Sequence, residues 1–187
     1  PYENITLTES DRQNQPGRLT KNIEITFPEP TVREAIDRGN AWHRFMQVVD
    51  LTEPMDDENI ARQLSQLAQR GVLTADHARK VDPLKVERFF AGVPGRLMLE
   101  NLDHLYRELP FNFLINAQDI PEALRPKSIN EPILIQGIVD CLIDTETGVI
   151  IIDYKTNAID VSAVDRMVEH YRTQIHLYAQ AMTGILR

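Results

Sequence analysis

Two β-branched runs, Ile133 to Ile143 and Val149 to Tyr154, stand on either side of a short polar stretch that ends in Gly148. Val and Ile favour extended backbone because their branched side chains pack well on a pleated surface, and a connection this short permits only an antiparallel return. The chain must therefore be built around a hairpin. On both sides of it the hydrophobic period changes to that of a helix. Upstream, Val32, Ala35, Ile36, Trp42, Phe45, Met46 and Val49 fall on one face of a helix predicted over 31–50, which Thr31 and Glu34 open as a capping box. Downstream, Val164, Met167, Val168, Tyr171, Ile175, Tyr178 and Met182 form the buried stripe of a helix predicted over 161–183. The expected fold is α/β: a mixed sheet containing the hairpin at 133–155, flanked by these two helices.

Between the first helix and the hairpin the pattern is one of short helices. Ile60, Leu64 and Leu67 share a helical face that ends near Gly71, and Asp82-Pro83 places an N-cap before a proline at the first helical position. Leu97 to Asp103 continues as helix. After a break expected at Pro110, Phe111, Phe113 and Ile115 alternate as extended chain, with Glu108 just before the break. Gly39, inside the first helix and four residues before His43, costs about 1 kcal/mol relative to Ala unless close packing needs it. Residues 1–30 show no sustained period and contain Pro16-Gly17 and Pro28-Glu29-Pro30, so they read as an arm or linker, with the domain itself at 31–187. The absence of an initiating Met fits a domain excised from a longer chain.

The hairpin carries the chemistry. If Asp144 and Val149 close it, leaving Thr145 to Gly148 as the loop, Asp140 lies directly opposite Asp153 with Cβ atoms roughly 5 Å apart. Two like charges facing each other between apolar strands destabilise one another, and burial makes their ionisation costlier. A shared proton offsets this, as does a divalent cation with oxygen ligands. Lys155, two residues beyond Asp153, shares its face about 7 Å farther along the strand. Its ammonium suits an attacking water or a phosphoryl oxygen. The competing reading is a buried Asp–Lys ion pair with the second Asp capping a turn.

Composition narrows the remaining classes. The 187 residues carry a formal net charge of −8, with residues 131–187 the most acidic third, so binding of nucleic acid through a general basic surface is not expected. Cys141 is the single cysteine, which excludes a disulfide framework and a cysteine-ligated iron–sulfur cluster and suits a reducing cytoplasm. The longest apolar stretch, Val149 to Ile152, is far short of the roughly 20 residues of a membrane span. No G-x-x-x-x-G-K-[ST] loop is present, so any ATP-driven motor must lie elsewhere, and no G-x-S-x-G elbow or Cys–His pair supports covalent hydrolysis.

Taken together, Gln136-Gly137-Ile138-Val139-Asp140, Ile151-Ile152-Asp153-Tyr154-Lys155-Thr156 and Tyr171-x-x-Gln174-x-x-x-Tyr178 resemble the RecB-type branch of the PD-(D/E)xK nucleases. Upstream, Gly39-x-x-x-His43 and Arg107-Glu108-x-Pro110-Phe111 stand where that branch has its remaining elements, so the likeness covers about residues 31 to 187. Within the branch, the chain resembles most the C-terminal nuclease domain of the AddA-type helicase–nucleases. Cys141 alone cannot supply the iron–sulfur ligands of the sister, AddB-like subunit. The resemblance implies a restriction-endonuclease-like sheet in which His43, Asp140 and Asp153, with the backbone carbonyl of Tyr154, ligate one catalytic Mg²⁺ or Mn²⁺. It places Glu108 beside that site, and Gln174 and Tyr178 next to the active site and the DNA strand. A histidine ligand suits Mn²⁺ better than Mg²⁺, which leaves the metal open. Tyr171 is expected to pack at the helix–sheet interface, and Trp42, offset by about 100° from His43, to pack rather than to stack on bases.

The resulting expectation is metal-dependent hydrolysis of single-stranded DNA, delivered by a helicase portion of the same polypeptide that works with a second, AddB-like subunit in double-strand-break processing. One competing reading is a non-catalytic strand guide or subunit-docking domain of the same fold. Another is a stand-alone restriction-type or repair endonuclease, which the missing basic groove disfavours.

Overall fold

In a computed structural model the described residues are 30–120, 131–156, 162 and 164–186, the side chains of Pro30 and Thr31 excepted. The expected arm, the Thr31 cap and the approach to the last helix therefore lie outside the described residues. Five helices come first: α1 (Pro30–Val48), α2 (Asp57–Gln69), α3 (Ala75–Lys80), α4 (Pro83–Ala91) and α5 (Val93–Glu100). The strands β1 (Leu105–Ile115), β2 (Ile133–Thr145) and β3 (Gly148–Ile152) follow, and α6 (Val164–Leu186) closes the order. Local chemistry sets several of these boundaries. The Asp56 carboxylate accepts the Asn59 N–H at 2.8 Å to start α2, and Gly71 leaves that helix with a φ of +69°. Asp82 accepts the Leu84 N–H at 3.1 Å, with Pro83 opening α4 as expected.

The sheet has the order β1-β2-β3, and all pairings among the described residues are antiparallel, so the parallel component of a mixed sheet is not found among them. The hairpin register is the expected one, with Asp144 opposite Val149 and Cys141 opposite Ile152. Its loop is shorter than expected because Thr145 and Gly148 also pair; the Thr145 hydroxyl donates to the Gly148 carbonyl at 2.7 Å. β1 begins at Leu105 and runs straight through Pro110. The expected break fails because β1 is an edge strand of the described sheet, where a residue without an N–H is tolerated.

Two cores cover the sheet. The larger joins α1, α2, α4 and α5 to one face through Phe45, Met46, Ile60, Val86, Phe90 and Met98. The smaller packs Ala181 and Met182 of α6 on Phe111, Val139 and Leu142. The long helices bury less than their stripes suggest: Val32, Ala35 and Ile36 of α1, and Val164 and Val168 of α6, are exposed. In both helices burial is confined to the C-terminal part, where the sheet and the other helices lie against them.

The strands change faces at one point. Leu109, Phe111, Val139 and Ile135 belong to the α6 side, and strict alternation would keep Cys141 and Ile143 there, yet both lie in the larger core with Leu105. The switch falls at Glu108 and Asp140, which stand opposite each other but interrupt the ladder between the pairs Arg107–Cys141 and Leu109–Val139. Glu108 has a φ of +52°, a left-handed conformation that costs a side-chain-bearing residue about 1–2 kcal/mol.

Candidate metal centre

The pleat reversal brings together side chains from three elements. His43 of α1, Glu108 of β1 and Asp140 of β2 offer ligand atoms that all lie within 4.8 Å of one another. His43 Nδ1 is 3.3 Å from Asp140 Oδ1 and 3.5 Å from Glu108 Oε1. Asp140 is held from its other oxygen, since the Tyr154 N–H donates to Oδ2 at 2.7 Å. That bond ties the chain leaving β3 to the middle strand, two residues beyond the last ladder pair.

The surrounding packing fixes these donors. The Tyr154 ring is buried, with its hydroxyl 3.6 Å from Met98 Sδ and the His43 ring set against it in a T-shaped contact at 5.7 Å between centroids. Gly39 accounts for the approach of α1: a Cβ there would stand 3.3 Å from Thr156 Oγ1, so the missing side chain lets the helix lie against the segment after β3. Arg107 Nη1 donates to the Met46 and Val49 carbonyls at 2.9 and 2.7 Å, satisfying the C-terminal end of α1 from the residue next to Glu108. Sequence alone gives Arg107 no task beyond its place in a motif. The available signal was a cation at an inward-alternating position between Leu105 and Leu109.

Electrostatically, the cluster retains protons. The Asp140 carboxylate, as hydrogen-bond acceptor, raises the His43 pKa above its ordinary value against the opposing effect of burial. Burial first, then the neighbouring Asp140, pushes Glu108 above the usual carboxylate range. Glu108 Oε1 is buried and has no hydrogen-bond partner among the described residues. A buried acceptor with no donor, beside a second carboxylate and an imidazole, is a donor set that fits a divalent cation.

Asp153 is not in this three-residue cluster. Its carboxylate is ion-paired with Lys155, both side chains being largely covered, and the Lys155 ammonium also lies 4.4 Å above the Tyr171 ring of α6. The structure thus joins Asp153 to Lys155, and Asp140 to His43 and Glu108, with Tyr154 between the two groups. Tyr178 closes on the sheet: its ring meets Phe111 edge-on at 5.0 Å, and a Cβ on Gly137 would come within 2.7 Å of its hydroxyl. Gln174, one helical turn earlier on α6, is half-buried. Cys141 is fully buried and its thiol is pushed up to about 11, so nucleophilic chemistry does not centre on it.

Residues 17–184 match the PD-(D/E)XK nuclease superfamily. The chain is also similar to proteins named as the A subunit of an ATP-dependent helicase/nuclease. It is 35% identical over 151 residues to that of Thermoanaerobacter sp. (strain X514), covering 81% of this chain and 12% of the relative. The relative in Pelotomaculum thermopropionicum is 34% identical over 169 residues, 90% of this chain and 13% of its own length. That in Lacticaseibacillus casei is 38% identical over 147 residues, 79% of this chain and 12% of its own length. The chain therefore spans about an eighth of the curated relatives it matches. No helix among the described residues is long and apolar enough to cross a membrane.

Proposed function

The chain belongs to the PD-(D/E)XK nuclease superfamily, and from that premise we propose that it hydrolyses phosphodiester bonds of single-stranded DNA with a divalent cation, Mg²⁺ or Mn²⁺. The observation that carries this reading is the convergence of His43, Glu108 and Asp140 beside the Asp153–Lys155 pair. His43 and Asp140 would hold the cation, with Glu108 as a third donor, and Asp153 and the Tyr154 carbonyl would complete the set. When bound, the cation supplies Lewis acidity, which stabilises charge on the phosphoryl oxygens and lowers the pKa of water. The Tyr154 N–H keeps Asp140 in a fixed rotamer, so its other oxygen, which faces His43, is preorganised. Asp153 holds the Lys155 ammonium, which donates to the attacking water or to a non-bridging oxygen. Gln174 and Tyr178 flank the strand from α6.

The relatives' names carry both a helicase and a nuclease. On this reading a helicase portion of the same polypeptide feeds the strand, and a second helicase–nuclease subunit completes the assembly for recombinational repair. That arrangement accounts for a nuclease with an acidic surface, because the motor supplies most of the affinity for DNA.

The test separates metal binding from cleavage. Calorimetric titration with Mn²⁺ is expected to give saturable heat that Asp140→Ala abolishes. Lys155→Ala is expected to retain that heat while cleavage of a single-stranded oligonucleotide falls by roughly 100-fold or more. Full cleavage by both Asp153→Ala and Lys155→Ala overturns the assignment. Absence of any Mn²⁺ heat would favour the strand-guide alternative.

A further inference from the structure

The Asp153–Lys155 pair lines one side of a cleft of about 480 Å³ whose other lining residues, among them Arg38, Trp42 and Lys85, have no part in the nuclease chemistry described above. Its volume falls within the range of sites that enclose a small ligand, about 300–1,000 Å³. Arg38 and Trp42 of α1, Lys85 and Phe89 of α4, and Lys80 at the end of α3 line it. Asp153, Tyr154 and Lys155 form the side toward the candidate metal centre.

Two properties distinguish this place in a chain of net charge −8. Its cations are not all neutralised: Lys80 is paired with Asp37 and Asp76, and Lys155 with Asp153, but Arg38 and Lys85 are exposed and have no ion-pair partner among the described residues. Of the lining acids, Asp82 is already committed to capping α4. The cleft also has an aromatic wall that continues to the site. Trp42 meets Phe89 edge-on at 6.0 Å, Phe89 meets Tyr154 at 5.6 Å, and Tyr154 meets His43 at 5.7 Å. Trp42 packs against the larger core, as its sequence position suggested, but it is only half-buried and also lines the cleft.

Unpaired cations beside an accessible aromatic ring are the two elements of single-strand recognition: charge for the backbone and a π-face for a base. We propose that this cleft seats one unpaired nucleotide of the DNA strand next to the scissile position, its base against Trp42 and its phosphates at Arg38 and Lys85. The proposal rests on the nuclease reading for the identity of its ligand, but the cleft makes its own prediction about binding. A duplex cannot use it, because a paired base offers its face only to its neighbours in the stack.

Trp42 is the single tryptophan of the chain, which makes it a direct reporter. Its fluorescence is to be followed in the 187-residue chain, in chelator and again in Ca²⁺, as a thymidylate oligomer of about 12 nucleotides is added. Quenching is expected with the thymidylate strand and not with an abasic strand of equal length or with a blunt duplex. Arg38→Glu with Lys85→Glu is expected to weaken binding about tenfold and to reduce the slope of log affinity against log salt by about 1.4, the share of two phosphates on a single strand. Both changes lie on exposed positions, so folding is not at issue. Trp42→Ala is expected to weaken binding of the thymidylate strand about tenfold, measured by anisotropy of a labelled strand, and binding of the abasic strand little. Quenching in neither condition, equal quenching by abasic strand or duplex, or an unchanged salt slope in the double variant overturns the proposal. If Mn²⁺ heat and cleavage are present without quenching, the cleft assignment fails alone; quenching without metal binding sinks the nuclease reading and leaves the cleft standing.

Discussion

The two halves of β2 differ more than their similar sequences suggest. Cys141, Leu142 and Ile143 are each 0% exposed, because helices cover both faces of the strand there. In the half before Asp140, by contrast, Leu134 and Ile138 are 54% and 52% exposed while their neighbours Ile135 and Val139 pack against the α6 side. One half is the middle of a protein and the other is a ribbon with one bare face. The candidate metal centre occupies the boundary between them. A site needs rigid ligands and also a route to solvent, and a strand that passes from a closed layer into an open one provides both within two residues.

The largest expected effect breaks this comparison directly. Leu142→Ala removes a side chain enclosed on all sides and is expected to lower stability by about 3–5 kcal/mol, the range for a cavity that cannot collapse. Leu134→Ala, the same change in the open half, is expected to cost no more than about 0.5 kcal/mol. Urea unfolding of the two variants measures both. Similar losses would mean that the bare face of the first half is covered in solution, and the contrast between the halves would disappear.

An intermediate effect tests what holds the boundary in place. Arg107 bonds two carbonyls at the end of α1 from its position beside Glu108, so it connects the helix that carries His43 to the strand that carries Glu108. Arg107→Met keeps most of the apolar stem and loses two charge-assisted bonds, for an expected loss of about 2–3 kcal/mol. Mn²⁺ affinity is expected to fall as well, even under conditions where the variant is fully folded, since His43 and Glu108 are no longer fixed relative to each other. Arg107→Lys, able to reach one carbonyl at a time, is expected to recover part of both. Loss of stability with unchanged metal affinity would confine Arg107 to a purely structural role.

What the sequence could and could not reveal follows the same boundary. The hairpin register was readable because alternation and a short turn leave a single pairing, whereas the expected opposition of Asp140 and Asp153 falls one step beyond the last pair, Cys141–Ile152. The helical stripes were readable in position but not in extent. Periodicity reports which face of α1 or α6 is apolar, whereas the burial of Val32, Ile36, Val164 and Val168 depends on whether anything lies opposite. Pro110 was misread because a proline's tolerance in a strand depends on whether that strand lies at an edge, a property of the sheet and not of the segment. The grouping of Glu108 with His43 and Asp140 was suggested only by family likeness. Nothing in local propensity predicts a glutamate at a positive φ, and without that reversal its carboxylate would not be aimed where it is.

The smallest effect is also the sharpest, because stability and function are expected to move in opposite directions. At an ordinary strand position glycine is less stable than alanine by about 0.5–1 kcal/mol, owing to its greater freedom in the unfolded chain. At position 108, where φ is +52°, glycine escapes the steric penalty that alanine retains. Glu108→Gly is therefore expected to be more stable than Glu108→Ala by about 1 kcal/mol, reversing the usual order. Both variants also relieve the burial of a carboxylate oxygen that has no hydrogen-bond partner among the described residues, so neither is expected to fall below the parent by much. Mn²⁺ affinity, however, is expected to drop in both by a similar factor, since both lose the donor. An alanine variant as stable as the glycine one would show that the backbone relaxes once the glutamate is gone, and that the conformation is imposed by the side chain's surroundings. The predicted order instead locates the strain in the backbone itself, held by the ladder pairs on either side so that the two halves of the strand can face different layers.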